Sequence, residues 1–400
     1  FIMELKNNQI EKSLQLLKVV KNYGIAYLWG EVRSGKTGTA LNVAKLLGAK
    51  KTLIITKKKA ISDIEKQYQN FRFTFNLSVI NYESLHKIDN DFDFIIIDEA
   101  HSISAFPKPS LRTKLIKEKF NNKRILLMSG TPAIESYSQW FHQFWISVFT
   151  PFSQYKNFYR WADIFVNKKE KKIGTHSIID YSDARTELID DIIKPYIVKM
   201  TQAEAGIDIQ IKEVFLHVKT PDSIQAIATT LLNNKAIKLH ESNKYIMADT
   251  PTKMQTKIHQ ILNGTCILED EHGATEPIIL SNFKVDFIKE KFKDKKIIVM
   301  YYYQSERKML EEAGIDCIQQ SSTEGVNLSE YDAIVYLNFG FSGKNFVQSR
   351  DRLSSVTRTK ENIIYFIFEE KGINEKIYNR VSKKQDFNLI AFKKDYETKR

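Results

Sequence analysis

Short apolar runs recur along the first part of the chain at Ile25 to Trp29, Thr52 to Ile55, Leu77 to Ile80, Phe94 to Ile97 and Ile125 to Met128, with amphipathic stretches between them. Runs that are apolar at successive rather than alternate positions predict strands buried on both faces, and the helical patterns between them predict parallel crossovers. This is one α/β lobe, residues 1–133. Beyond Pro132 the pattern turns helical and aromatic, with Trp140, Phe141, Phe144, Trp145, Phe149, Phe152, Tyr155, Phe158, Tyr159 and Trp161. Residues 134–207 therefore read as a helical extension whose rings form a core, with base stacking by one or two rings as the alternative. A second α/β series fills residues 208–400, with strands at Val214 to Val218, Ile297 to Tyr301, Ala333 to Leu337 and Ile363 to Phe368. Thr265 to Glu269 and Glu276 to Leu280, on either side of a polar turn, predict a hairpin.

Composition narrows the partners. Lys and Arg outnumber Asp and Glu by 60 to 48, a net charge of +12. That excess suits a polyanion, although a generally lysine-rich composition would give the same figure. Cys266 and Cys317 are far apart and no CxxC occurs, which argues against a disulfide framework or a zinc site and fits a reducing, cytoplasmic setting. No apolar run approaches the roughly 18 residues of a membrane span, and the start shows no signal-peptide pattern.

The chemistry lies at the strand ends. Ile25 to Trp29 runs into Gly30-Glu-Val-Arg-Ser-Gly35-Lys36-Thr37, and a helix-compatible stretch follows from Gly38. This is GxxxxGK[ST] in its strand, loop, helix context. Gly30 and Gly35 let backbone amides turn toward phosphate oxygens, Lys36 neutralises the β and γ phosphates of ATP, and Thr37 offers a hydroxyl to Mg2+. Ser34 and Gly38 complete the cofactor-binding set. The run Phe94 to Ile97 ends in Asp98-Glu99-Ala100-His101. Asp98 is placed to hold the magnesium shell, and Glu99 to orient and deprotonate water. An acidic helix cap is the plainer reading of the two carboxylates, and the upstream phosphate loop weighs against it.

Asp-Glu-Ala-His with Gly-Lys-Thr resembles helicase superfamily 2. Thr56-Lys57 resembles motif Ia, Asn81-Tyr82-Glu83 motif Ib, Ser129-Gly130-Thr131-Pro132 motif III, Glu324-Gly325-Val326-Asn327-Leu328 motif V, and Gln348-Ser349-Arg350-Asp351-Arg352 motif VI. The tail from Ile363 through Glu369 and Asn374 to Asp386 is similar to the Swi/Snf-type branch. Gly24 to Thr37 and Phe106 to Pro109 resemble helicases encoded by bacteriophages and mobile elements, which would put the protein in a bacterial host cytoplasm. The resemblance implies two tandem RecA-like lobes with parallel sheets, ATP and Mg2+ in the cleft, and nucleic acid crossing both lobes. It makes Gln9 the adenine-reading residue, without the usual flanking aromatic. Arg352, with Arg358 as second choice, becomes the arginine that stabilises the transferring phosphoryl group, because the second family arginine falls on Ser355.

The same resemblance nominates Thr56, Lys57, Asn81, Ser129, Gly325 and Asn327 for the nucleic-acid backbone, and His101, Thr131 and Gln348 for coupling. The basic run at Lys57 would alternatively be a solvated helix start, and Ser129 to Thr131 an ordinary turn. The expected function is a DNA helicase or translocase acting on single-stranded or duplex DNA. An RNA helicase and an ATP-gated binding switch are the rivals, and replication or recombination proteins are a partner class left open.

Overall fold

The computed structural model describes residues 3–31, 34–133, 135–173, 176–206, 211–238, 244–270, 274–322, 328, 330–350, 361–383 and 387–396. The chain divides into two compact units, Phe1–Asp208 and Ile209–Arg400. Among the described residues no helix is long and apolar enough to cross a membrane.

The first unit opens with helix α1 (Asn7–Tyr23) and strand β1 (Ile25–Gly30), then α2 (Lys36–Leu47), β2 (Lys51–Thr56), α3 (Ile61–Asn70), β3 (Asn76–Asn81), β4 (Phe94–Asp98), α4 (Leu111–Phe120) and β5 (Arg124–Ser129). Helices α5 (Gln139–Trp145) and α6 (Phe158–Phe165), the hairpin β6 (Lys169–Ile173) and β7 (His176–Asp180), α7 (Thr186–Ile193) and strand β8 (Ile197–Met200) follow. The main sheet runs in the order β3-β2-β4-β5-β1-β8 with every pairing parallel. Its central strands have helices on both faces, so Ile25 to Leu28, Phe94 to Ile97 and Ile125 to Met128 are fully buried. Burying each of these larger side chains stabilises by about 1.5–3 kcal/mol. Because all six strands point one way, the ends of β1 to β5 share one edge.

The aromatic extension departs from an all-helical region. It adds the β6–β7 hairpin and returns to the sheet as β8, paired with β1 from Tyr27↔Ile197 to Gly30↔Met200. Trp140, Phe141, Phe144, Phe152, Phe158 and Trp161 are buried, and Tyr27 meets Trp140 edge-on at 4.9 Å. Those rings are core. Phe149 and Tyr159 are the exposed ones, at 39% and 40%.

The second unit has a five-stranded parallel sheet and a separate antiparallel one. Its strands are β9 (Ile211–Val218), β10 (Ala236–Lys238), β11 (Lys244–Met247), β12 (Thr265–Asp270), β13 (Thr275–Ile279), β14 (Ile297–Tyr301), β15 (Cys317–Gln319), β16 (Ala333–Tyr336) and β17 (Asn362–Glu369). The parallel order is β15-β14-β16-β17-β9. The expected hairpin is β12–β13, joined by β10 and β11 into a four-stranded sheet.

Candidate active site

Strand β1 delivers the phosphate loop. Ser34 turns it tightly, its amide and hydroxyl both donating to the Glu31 carbonyl, at 3.2 and 2.9 Å. The Lys36 ammonium folds back over the loop and donates to the Gly30 and Glu31 carbonyls, each at 2.9 Å. Gly30 permits this approach, since a Cβ there would lie 2.6 Å from the Lys36 chain. Gly35 caps α2 at φ 97°, a conformation that costs other residues about 1–2 kcal/mol. Thr37 and Gly38 stand in the first turn of α2, whose free amides and dipole favour an anion. Val32 and Arg33 lie outside the described residues.

Gln9 sits against this loop. Its amide donates to the Gly35 carbonyl at 3.1 Å and its carbonyl accepts from the Lys6 amide at 2.9 Å, leaving the residue 7% exposed. The carboxamide thereby braces the turn from Gly35 to Gly38, and Phe71 packs on the same glycine surface.

The carboxylates end β4, two strands from β1 across β5. Asp98 Oδ2 accepts from the Thr56 hydroxyl at 2.7 Å. Glu99 adopts a left-handed backbone, φ 51° and ψ 50°, although it is not glycine. The Tyr82 hydroxyl donates to the Asp98 carbonyl at 2.5 Å and lies 3.4 Å from that of Glu99. Nδ1 of His101 stands 3.2 Å from Glu99 Oε2 and 3.0 Å from Ser129 Oγ, which also accepts from the Thr131 amide at 3.1 Å. The loop after β5 is held from the other side as well: Gln143 donates to the Pro132 carbonyl at 2.8 Å and accepts from the Tyr27 hydroxyl at 2.7 Å. Among the described residues the buried Thr131 hydroxyl oxygen has no hydrogen-bond partner.

Electrostatics separates the two acids. Burial and the neighbouring Glu99 charge push Asp98 up, against the Thr56 hydrogen bond and Lys36. Burial also pushes Glu99 up, but the hydrogen bond and charge of His101, with Lys36 and Lys57, hold it below the usual carboxylate range. Two adjacent carboxylates resist double ionisation, and the one facing the cations keeps the charge. Lys36 is among the smaller influences that lower both acids. Burial, with Asp98 and Glu99, raises Tyr82 and keeps its phenol a donor.

Of the residues nominated for the nucleic-acid backbone, Thr56 and Ser129 are fully buried and their hydroxyls serve Asp98 and the His101–Thr131 link. Lys57 and Asn81 are partly exposed at the same edge, Asn81 donating to Glu83 at 2.9 Å. Gly325, Asn327, Arg352, Ser355 and Arg358 lie outside the described residues. Gln348 belongs to the helix Gly343–Arg350, and its side chain is likewise outside them. Sequence reasoning missed Tyr82, Tyr27 and Gln143 as supports, although Tyr82 lies inside a quoted motif.

Among the described residues no group of three or more His, Cys, Asp or Glu is arranged to hold a metal ion. A magnesium ion keeps several waters and needs only one or two protein ligands beside phosphate oxygens, so such a group is not required for it.

No curated protein matches the chain. The family described as the SNF2-related domain matches residues 30–271, from the phosphate loop through the whole carboxylate edge and into the second unit. The chain belongs to the SNF2-related domain family, Swi/Snf-type helicase-like ATPases of superfamily 2.

Proposed function

We propose that this chain is an ATP-driven DNA translocase or helicase, with residues 1–133 as the ATP-binding lobe, 134–207 as its extension and 208–400 as the second lobe. Lys36 and the α2 amides bind the ATP phosphates, Thr37 and Asp98 hold Mg2+, and Glu99 orients the attacking water and takes its proton. Thr37 and Asp98 would hold the magnesium, which would supply positive charge against the charge developing on the phosphates. Gln9 borders the nucleotide, with Ser34 lining the loop. Arg352, or Arg358 beside it in sequence, stabilises the transferring phosphoryl group. Lys57, Asn81, Gly325 and Asn327 contact the sugar-phosphate backbone; Thr56 and Ser129 contribute by shaping those strand ends. His101, Thr131 and Gln348 couple nucleotide state to grip.

The observation that carries the reading is that the phosphate loop after β1 and the Asp98–Glu99 pair at the end of β4 lie two strands apart on one edge of a parallel sheet, beside Lys57 and Asn81. DNA is preferred over RNA because the tail from Ile363 resembles the Swi/Snf-type branch. ATP hydrolysis measured with single-stranded DNA, duplex DNA and RNA tests it, with Lys36→Ala as the control. Strongest stimulation by a DNA supports the reading; stimulation by RNA alone supports an RNA helicase. Ser355, where the family carries arginine, favours a second reading: an ATP-gated binding switch. A streptavidin-displacement assay separates the two, since a switch binds DNA without displacing streptavidin.

A further inference from the structure

The left-handed backbone of Glu99 needs something to hold it, and the contacts around it show what does. The peptide joining Asp98 to Glu99 is fixed from one side by the Tyr82 hydroxyl at 2.5 Å. Tyr82 is the first residue of the turn Tyr82–Lys87 that follows β3, and it is only 4% exposed. Its ring is buried in the hydrophobic core that also holds Leu85, Ile97 and Ala100, a role phenylalanine would fill at lower desolvation cost. The hydroxyl is the added feature, and its proton goes to the backbone of the acidic pair.

Tyr82 is also tied outward. Its neighbours Asn81 and Glu83 are hydrogen-bonded to each other, Glu83 lies 3.9 Å from Arg112, and the Arg112 guanidinium stands 5.5 Å over the Tyr82 ring. Residues 81–83 thus form one short piece, with Asn81, Glu83 and Arg112 toward solvent and a single hydroxyl reaching inward.

We infer that Tyr82 is a positioning residue that transmits nucleic-acid contact at Asn81 to the backbone orientation of Glu99. The inference rests on the proposed roles of Asn81 and Glu99. A phosphate pulling on Asn81, or competing for Arg112, moves the turn that carries Tyr82 and so resets the peptide that aims the Glu99 carboxylate. Removing the hydroxyl leaves ring, core and ATP-binding loop in place but cuts this path.

The test is Tyr82→Phe in the full chain, with ATP hydrolysis measured with and without oligodeoxythymidine, below the melting temperature of each variant. Asn157→Ala is the companion: it removes the N-cap of α6 in the same unit without touching Asn81, Tyr82, Arg112, Asp98 or Glu99. The DNA-stimulated kcat of Tyr82→Phe is expected to fall about tenfold or more, with KM for ATP within about twofold and the stimulated-to-basal ratio collapsing. Asn157→Ala is expected to keep the ratio. Tyr82→Phe with an unchanged ratio, or loss of the ratio in both variants, overturns the inference and leaves the functional reading standing. A wild-type chain without stimulation by DNA, RNA or duplex overturns the reading, and the inference with it.

Discussion

Glu99 and Asp98 sit side by side at the end of one strand, and their surroundings give them different work. Glu99 keeps its charge beside His101, Lys36 and Lys57, as the general base proposed for it requires. Glu99→Gln is therefore expected to retain ATP binding while slowing hydrolysis by about 10²–10⁴-fold, read from single-turnover rates beside an ATP titration. Gly35 is a second sharp test. At φ 97°, with the Gln9 amide 2.6 Å from where a Cβ would stand, Gly35→Ala strains the loop and displaces its brace. We expect a stability loss of about 1–2 kcal/mol and a weakened ATP affinity, measured by thermal unfolding with and without nucleotide. An alanine variant that binds ATP as tightly as wild type would show that the brace is dispensable.

The second unit's sheet ends on a buried polar network. Lys284 donates to Glu369 at 2.7 Å, to Asn263 at 2.6 Å and to the Leu337 carbonyl at 3.1 Å, and Asn374 donates to Glu369 at 2.7 Å. Both partners of the ion pair are fully buried. Lys284→Met leaves an uncompensated carboxylate and is expected to destabilise by about 3–5 kcal/mol, while adding Glu369→Leu recovers part of that loss. Urea unfolding of the single and double variants checks it. His259, hydrogen-bonded to Tyr303 and Asn374, joins the same network. Burial drops its pKa to about 4 from 6.5. The unfolded imidazole protonates as pH falls through 6.5 and the folded one only near 4, so this stability is complete above 6.5 and drains toward 4. The loss reaches roughly 2–4 kcal/mol across that window. Glu306, pushed up to about 7 mainly by burial, has the opposite sign, losing stability as pH rises from 4.5. The His259 part is isolated by comparing unfolding of wild type and His259→Gln across the window; the variant's profile should be flatter in acid.

At the scale of the whole molecule, how much was legible in the sequence followed burial. Strands β1, β4 and β5 are covered on both faces, so their apolar runs stand out without any alignment. β8 was missed because four residues with exposed Lys199 carry no such run, and β10 and β11 because three or four residues cannot show a period. The places of Lys36, Asp98 and Glu99 at the ends of β1 and β4 were readable because the apolar strands that lead into them stand out. The Tyr82 link was not, because it depends on a left-handed backbone at Glu99, which leaves no trace in composition or spacing. Thr56 and Ser129 were read outward from motif order, while their small hydroxyls turn inward to the acids and to His101.

A protein of this charge that grips a phosphate backbone should bind DNA with a steep inverse dependence on salt, because each neutralised phosphate releases counterions. Binding isotherms across a salt series check this, and a flat log–log plot would speak against backbone contacts. The most direct measurement is the steady-state rate of ATP hydrolysis by the intact chain with magnesium, with and without DNA, beside Lys36→Ala. An ATP-driven DNA motor gives a rate that rises on adding DNA and vanishes in Lys36→Ala. A DNA-independent rate, or one that Lys36→Ala retains, would contradict it.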